Sequence, residues 1–175
     1  MKATIFPIGV SVGAKKYYKD TEFTLTPHFD REEGAEMLRS GAVDLQSHTY
    51  DMHQWAPFET GDEIRIGVIP LEGEGDASYM EAVNEDIALS KEQFLELWDR
   101  ELQVLAYPGG AYCTLSEVLI HEAGLPVTLS TATDRRNILV RGLPQSLYAL
   151  CRKTVTEEMT KEELLAYLEG REQPE

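Results

Sequence analysis

Two periods of apolar and polar residues alternate along the chain. Residues 3–8 read as a strand followed by a polar loop, and a helix begins at Asp30, whose carboxylate can cap the first turn while Glu33 reaches back in a capping box. Gly41 ends that helix. Ala42, Asp44 and Gln46 then alternate with Val43, Leu45 and Ser47, the period-two pattern of a half-buried strand that runs up to His48. Residues 54–77 form a long connection containing Gly61, Gly67, Gly73, Gly75 and the alternating run Ile64-Arg65-Ile66-Gly67-Val68. Loops of that length are more often functional than accidental. Residues 78–98 read as a helical region with a break near Ser90, in which Ile87, Phe94, Leu95 and Trp98 make an inward stripe. A strand over 102–107 follows, and then Thr114 and Glu117 form a capping box for a helix over 115–123 that Gly124 stops. Strands near 127–130 and 137–140 come next, and Thr160 opens a final helix through Leu168.

Strands thus alternate with helices, without internal repeat or linker. This is the pattern of an α/β chain built on a parallel sheet or barrel, here one domain over residues 1–170 with 171–175 as a frayed tail. At 175 residues and 42% hydrophobic, the chain can bury a sizeable core. Its 31 acidic against 16 basic side chains, a formal net charge of -15, argue against a nucleic-acid partner, since phosphate binding needs a basic footprint. A neutral or cationic glycan is compatible with that surface. Two cysteines, Cys113 and Cys151, make neither a disulfide framework nor a zinc cluster. No stretch approaches 18 consecutive apolar residues and the first residues lack the apolar core of a signal peptide, so the chain as written reads as soluble, without a membrane span.

Candidate chemistry concentrates at His48-Thr49-Tyr50-Asp51-Met52-His53, which holds half of the four histidines. A separation of five suits neither regular element, because strand side chains alternate faces and helix positions five apart diverge by about 140°. Both rings converge on one ion only if His48 ends a strand and the chain then turns. Neutral imidazole is a common ligand for zinc and similar divalent ions, and a catalytic site typically adds a carboxylate and keeps one position open to water. The alternative is that both rings simply hydrogen-bond in a loop. Asp51 can orient a histidine from behind or can hold its own turn.

In its setting, Leu45-Gln46-Ser47-His48-Thr49-Tyr50-Asp51-Met52-His53 resembles the second motif of the polysaccharide deacetylases, metal-dependent carbohydrate esterases. The histidine spacing resembles the branch that deacetylates poly-N-acetylglucosamine exopolysaccharide. Lys2-Ala3-Thr4-Ile5-Phe6-Pro7-Ile8-Gly9 is similar to the family's second barrel strand, and Leu105-Ala106-Tyr107-Pro108-Gly109-Gly110 to its third motif, usually written Tyr-Pro-Tyr-Gly. The resemblance implies a distorted (β/α) barrel and a hydrolase of N-acetyl groups on a surface polysaccharide. It also implies His48 and His53 as ligands of a divalent metal, zinc above all, and the Gly109 amide as donor to the oxyanion. Gly109 stands where the family usually has Tyr, which keeps the amide and removes a ring from the pocket.

Tyr107 and Trp55 are the expected substrate contacts, Trp55 as a platform for a sugar face or as ordinary packing. His28 and His121 read as structural or surface residues, and Cys113 as structural. The first motif, Thr-Phe-Asp-Asp-Gly, with a metal-binding Asp and the catalytic base, does not occur in the chain, and 137–141 holds no acid histidine. Such a barrel would lack its first strand and helix, leaving a strand edge near residues 3–8 open to self-association. Activity is then expected to be impaired. The alternative is a catalytically silent glycan- or metal-binding fragment.

Overall fold

The computed structural model describes residues 2–14, 27–54, 64–132 and 136–170. Among the described residues, five strands, β1 (Ala3–Ile5), β2 (Val43–Leu45), β3 (Val104–Ala106), β4 (Val127–Ser130) and β5 (Leu150–Cys151), lie parallel to one another. Four α-helices accompany them: α1 (Arg31–Arg39), α2 (Asp76–Trp98), α3 (Thr114–Glu122) and α4 (Lys161–Leu168). β1 pairs with β2, and β3, β4 and β5 form a second sheet; a single bridge, Ser47 to Leu105, joins the two. The strands therefore follow one another in chain order, with helices between, and all their carboxyl ends open on one side.

The junction between the sheets is short of backbone. Ser47 N–H donates to the Val104 carbonyl (3.2 Å) and Ala106 N–H to the Ser47 carbonyl (2.9 Å). One step earlier a side chain takes over, as the buried Gln46 Oε1 accepts from both Gln103 N–H (2.9 Å) and Val104 N–H (3.0 Å). The apolar core lies between these strands and the helices α2 and α3, with Leu45, Leu105, Val83, Phe94 and Ile120 almost fully enclosed.

Local signals explain much of the element order. Asp30 caps α1 by accepting from Glu32 and Glu33 amides while the Glu33 carboxylate accepts from Asp30 N–H, and Thr160 and Glu163 form the same box on α4. The helix α2 is continuous over 23 residues, without a break at Ser90. Ser90 faces inward, where Ser47 donates to its hydroxyl at 3.3 Å, so its polarity is matched rather than helix-breaking. Leu95 is 56% exposed and drops out of the expected stripe; Tyr79, Val83, Asp86, Ile87, Ser90, Phe94 and Trp98 form the buried face.

The α3 cap sits one residue earlier than expected. Cys113 and Ser116 make the box, Thr114 is the first helical residue, and Glu117 turns inward instead. There it accepts from Thr128 Oγ1 (2.8 Å) and pairs with His121 (3.0 Å). The expected strand at 137–140 does not form: Ile138, Leu139 and Val140 are exposed, and the fifth strand comes at Leu150–Cys151. The first strand is also shorter than expected: regular pairing ends at Ile5, one further bond joins His48 N–H to the Pro7 carbonyl, and the chain then turns at Gly9–Ser11.

Candidate metal and active site

His48 follows β2 on the carboxyl side of the sheet, where its N–H still donates to the Pro7 carbonyl at 3.0 Å. The chain then reverses. Thr49 adopts φ 73, a left-handed conformation uncommon for a β-branched residue, and Ser47 Oγ accepts its N–H at 3.0 Å while Thr49 Oγ1 accepts from Met52 N–H at 3.2 Å. The next two amides, of Tyr50 and Asp51, donate to the two oxygens of Asp86 at 2.8 and 2.7 Å. Asp86 reaches the turn from the buried face of α2. Burial pushes its carboxyl up to about 6, against the pull of the Asp51 and Tyr50 amides.

This turn brings the two imidazoles together. Their centroids are 5.2 Å apart with the planes at 86°. His48 Nδ1–H donates to the Ala106 carbonyl at the end of β3 (2.6 Å), which fixes the proton on Nδ1 and leaves the lone pair on Nε2. The donor set suits a cation, because burial, with smaller contributions from His53 and Arg152, lowers His48 to about 4, and burial lowers His53 too. The buried Nδ1 of His53 has no hydrogen-bond partner. Two neutral rings, one oriented from behind by a carbonyl, fit half of a divalent-metal site. Among the described residues, no group of three or more His, Cys, Asp or Glu side chains could hold an ion.

A cavity of about 400 Å³ opens beside them, lined by Ile5, Pro7, Val12, Phe29, His48 and His53, and by His28. His28, expected as a structural or surface residue, is half-buried, and the fold returns Pro27-His28-Phe29 to the cleft. Nothing local points to Asp86, since it lies 36 and 35 residues beyond the two amides it holds. Asp51 accepts from Gln54 Nε2 (3.3 Å), and the orienting partner of His48 is a backbone carbonyl.

Gly109 sits in the Pro108–Gly110 turn directly after β3, exposed, at φ 58 and ψ 5, with nothing within 4 Å of where a Cβ would be. Its carbonyl accepts from Thr131 Oγ1 at 3.2 Å, and its N–H finds no acceptor among the described residues. The next residue is the constrained one, because a Cβ on Gly110 would run into the Thr131 hydroxyl and backbone nitrogen. Tyr107 is fully buried and stacks on Tyr112 with centroids 4.8 Å apart. Burial and the nearby Glu117 push its hydroxyl pKa up, although that hydroxyl meets no partner in hydrogen-bond geometry. The ring offers no surface to a substrate, so any contact at this position falls to the backbone. Trp55 lies outside the described residues.

The sequence pattern described as polysaccharide deacetylase matches residues 1–128. The chain belongs to the polysaccharide deacetylase family. Its fold is likewise that of solved deacetylases. One is a de-N-acetylase from Aggregatibacter actinomycetemcomitans (TM-score 0.69, 14% identity, covering 95% of this chain and 64% of the other). Another is IcaB from Ammonifex degensii (0.65, 20%, 94% and 60%). The BpsB deacetylase domain from Bordetella bronchiseptica is similar too (0.62, 19%, 86% and 60%). At these identities the likeness speaks for the fold. The chain spans less than two thirds of the length of these deacetylase structures. No curated protein matches the chain. Among the described residues, no helix of this deacetylase-family chain is long and apolar enough to cross a membrane.

Proposed function

We propose that this chain carries the two-histidine half of a metal-dependent hydrolase that removes N-acetyl groups from a surface or exopolysaccharide. The observation that carries the reading is the convergence of His48 and His53 at the mouth, with the His48 lone pair directed by the Ala106 carbonyl. His48 and His53 would hold the cation, which supplies Lewis acidity for activating water and polarising an acetamide carbonyl. The Gly109 amide, free of an acceptor within the described residues, donates to the carbonyl oxygen as it gains charge. The cleft walls Ile5, Pro7 and Phe29 exclude water around the acetyl methyl. Asp51 and Asp86 hold the turn in shape. Trp55 remains the proposed platform for a sugar ring, and the histidine spacing favours poly-N-acetylglucosamine as the glycan.

In the hydrolysis itself, water adds to the acetamide carbon, the C–N bond breaks, acetate departs and the glucosamine nitrogen takes a proton. General acid and base groups each contribute about 10²–10⁴-fold to such steps, and this chain holds neither an Asp pair in the family's first motif nor an acid histidine at 137–141. Impaired turnover follows. One observation favours a second reading, a glycan- or metal-binding module without turnover: His48 and His53 have no third ligand among the described residues.

Zinc calorimetry combined with acetate release from an acetylated glucosamine oligomer separates the two. The expected result is weak zinc binding lost in His48→Ala and His53→Ala, with acetate release measurable but far below that of an intact deacetylase. Binding of zinc and oligomer with no acetate release at all supports the silent module. Zinc binding unaffected by both substitutions overturns the site.

A further inference from the structure

Strand phase shows which side chains look into the mouth. Thr128 gives its hydroxyl to Glu117 of α3, and Ser47 gives its hydroxyl to Ser90 of α2, so these positions face the helices. One residue further on each strand, Leu129 and His48 face the other way, into the interior. Leu129 is in register with Leu150, and the ladder continues past β5, where Arg152 N–H donates to the Ser130 carbonyl at 3.1 Å. Two residues beyond Leu150, Arg152 shares the interior face with His48.

Its side chain is held there. Arg152 Nε–H donates to the same Ser130 carbonyl at 3.3 Å, folding the guanidinium over the end of β4. The group is half-buried, and its charge reaches His48, where it disfavours a second positive charge. In a chain with 31 acidic residues, none of the described carboxylates pairs with it. The two terminal nitrogens, unused by the Ser130 contact, form the fork that matches a carboxylate. The Gly109 amide, at the end of β3, adds an unmatched donor to the same side of the sheet.

We propose that Arg152 is a carboxylate-binding residue of the barrel mouth, which holds the acetate released by hydrolysis as it separates from the amino sugar. The proposal rests on the deacetylase reading for the origin of the acetate, while the binding itself is independent of turnover. The neutral acetamide of the substrate lacks the charge, so the interaction arises only after the C–N bond has broken. Arg152 thereby favours product over substrate at this subsite and should make acetate a competitive inhibitor of glycan binding.

Sodium acetate titrated into the full 175-residue chain at constant ionic strength, with a chelator present so that no cation contributes, tests this. The readouts are the side-chain NMR signals of His48 and the line width of the acetate methyl. The expected result is saturable binding in the wild type, at least tenfold weaker in Arg152→Met and intermediate in Arg152→Lys, which keeps the charge but not the fork. Acetamide should show no dependence on Arg152. Wild-type protein that ignores acetate overturns the proposal, as does acetate binding unchanged in Arg152→Lys. If Arg152→Met fails to fold by circular dichroism, the Arg152→Lys comparison decides. Acetate bound through Arg152 by a chain that never releases acetate leaves this proposal standing and removes only the reading of turnover.

Discussion

His48 and Asp86 carry opposite pH signatures within a single turn. His48 sits near 4, below an ordinary value of 6.5, mainly because of burial, so between those pH values the unfolded chain binds the proton and the folded chain does not. Stability therefore falls on acidification through that window, and the lowered His53 adds to the same direction. Asp86 behaves conversely. Raised by burial to about 6, it takes up a proton in the folded state before the unfolded carboxyl does, so stability rises as pH drops from 6 toward roughly 4. The wild-type profile should be shallow because the two offset each other. Urea unfolding of Asp86→Asn should show stability declining by about 2–3 kcal/mol between pH 6.5 and 4, whereas His48→Gln should reverse the slope. A flat Asp86→Asn profile would show that His48 is not held neutral by the fold.

At the scale of elements, what could be read from the sequence was what neighbouring residues decide. Asp30 with Glu33 and Thr160 with Glu163 mark their helices because both partners of each cap lie within one turn. Thr114 misled, since Cys113 can also accept an N3 amide and Glu117 had a buried partner in Thr128 that local spacing does not reveal. The apolar run 137–140 looked like a strand by composition, yet backbone pairing went to the less regular Leu150–Cys151, which continues the register of β4. His48 and His53 stand out locally because they share one hexapeptide that resembles a family motif, whereas nothing local points to His28, Asp86 or Arg152, because each is brought in by a distant element. Gln46 belongs with these. Its side chain stands in for a strand carbonyl at the sheet junction, and Gln46→Leu leaves the Gln103 and Val104 amides without that acceptor. Gln103 is exposed and Val104 half-buried, so water takes over part of what is lost, and we expect a loss of about 1–1.5 kcal/mol in chemical denaturation, near the net worth of one hydrogen bond, and weaker zinc binding. Stability within about 0.5 kcal/mol of wild type would show that water replaces Gln46 freely.

For the whole molecule, charge and sheet edge pull in opposite directions. Ala3 and Ile5 use their backbone toward β2, as the bonds from Ala3 N–H to Ala42 and from Gln46 N–H to Ile5 show, so Thr4 N–H points away from β2. Ala3 and Thr4 are exposed, and no described strand pairs with that edge. A net charge of -15 keeps copies apart at low salt, and screening shortens that repulsion. Sedimentation should show a monomer at low ionic strength and association in ~0.5 M NaCl, where the Debye length falls to a few ångströms. Thr4→Pro, which removes only the outward N–H, should abolish that association with little change in stability. Salt-dependent association that persists in Thr4→Pro would place the contact elsewhere.

The single bridge between Ser47 and Leu105 also makes the mouth sensitive to heat. His48 belongs to one sheet and the carbonyl that orients it to the other, and among the described residues two backbone hydrogen bonds and the Gln46 side chain join the two strands beside that contact. Warming should therefore part this seam before either sheet melts. In a temperature series, zinc affinity would drop several degrees below the midpoint of the far-ultraviolet dichroism transition, and the Ala106 amide would exchange with solvent ahead of those within the β3–β4 ladder. The working range of such a site is then limited by the joint between its halves and not by the melting of its secondary structure.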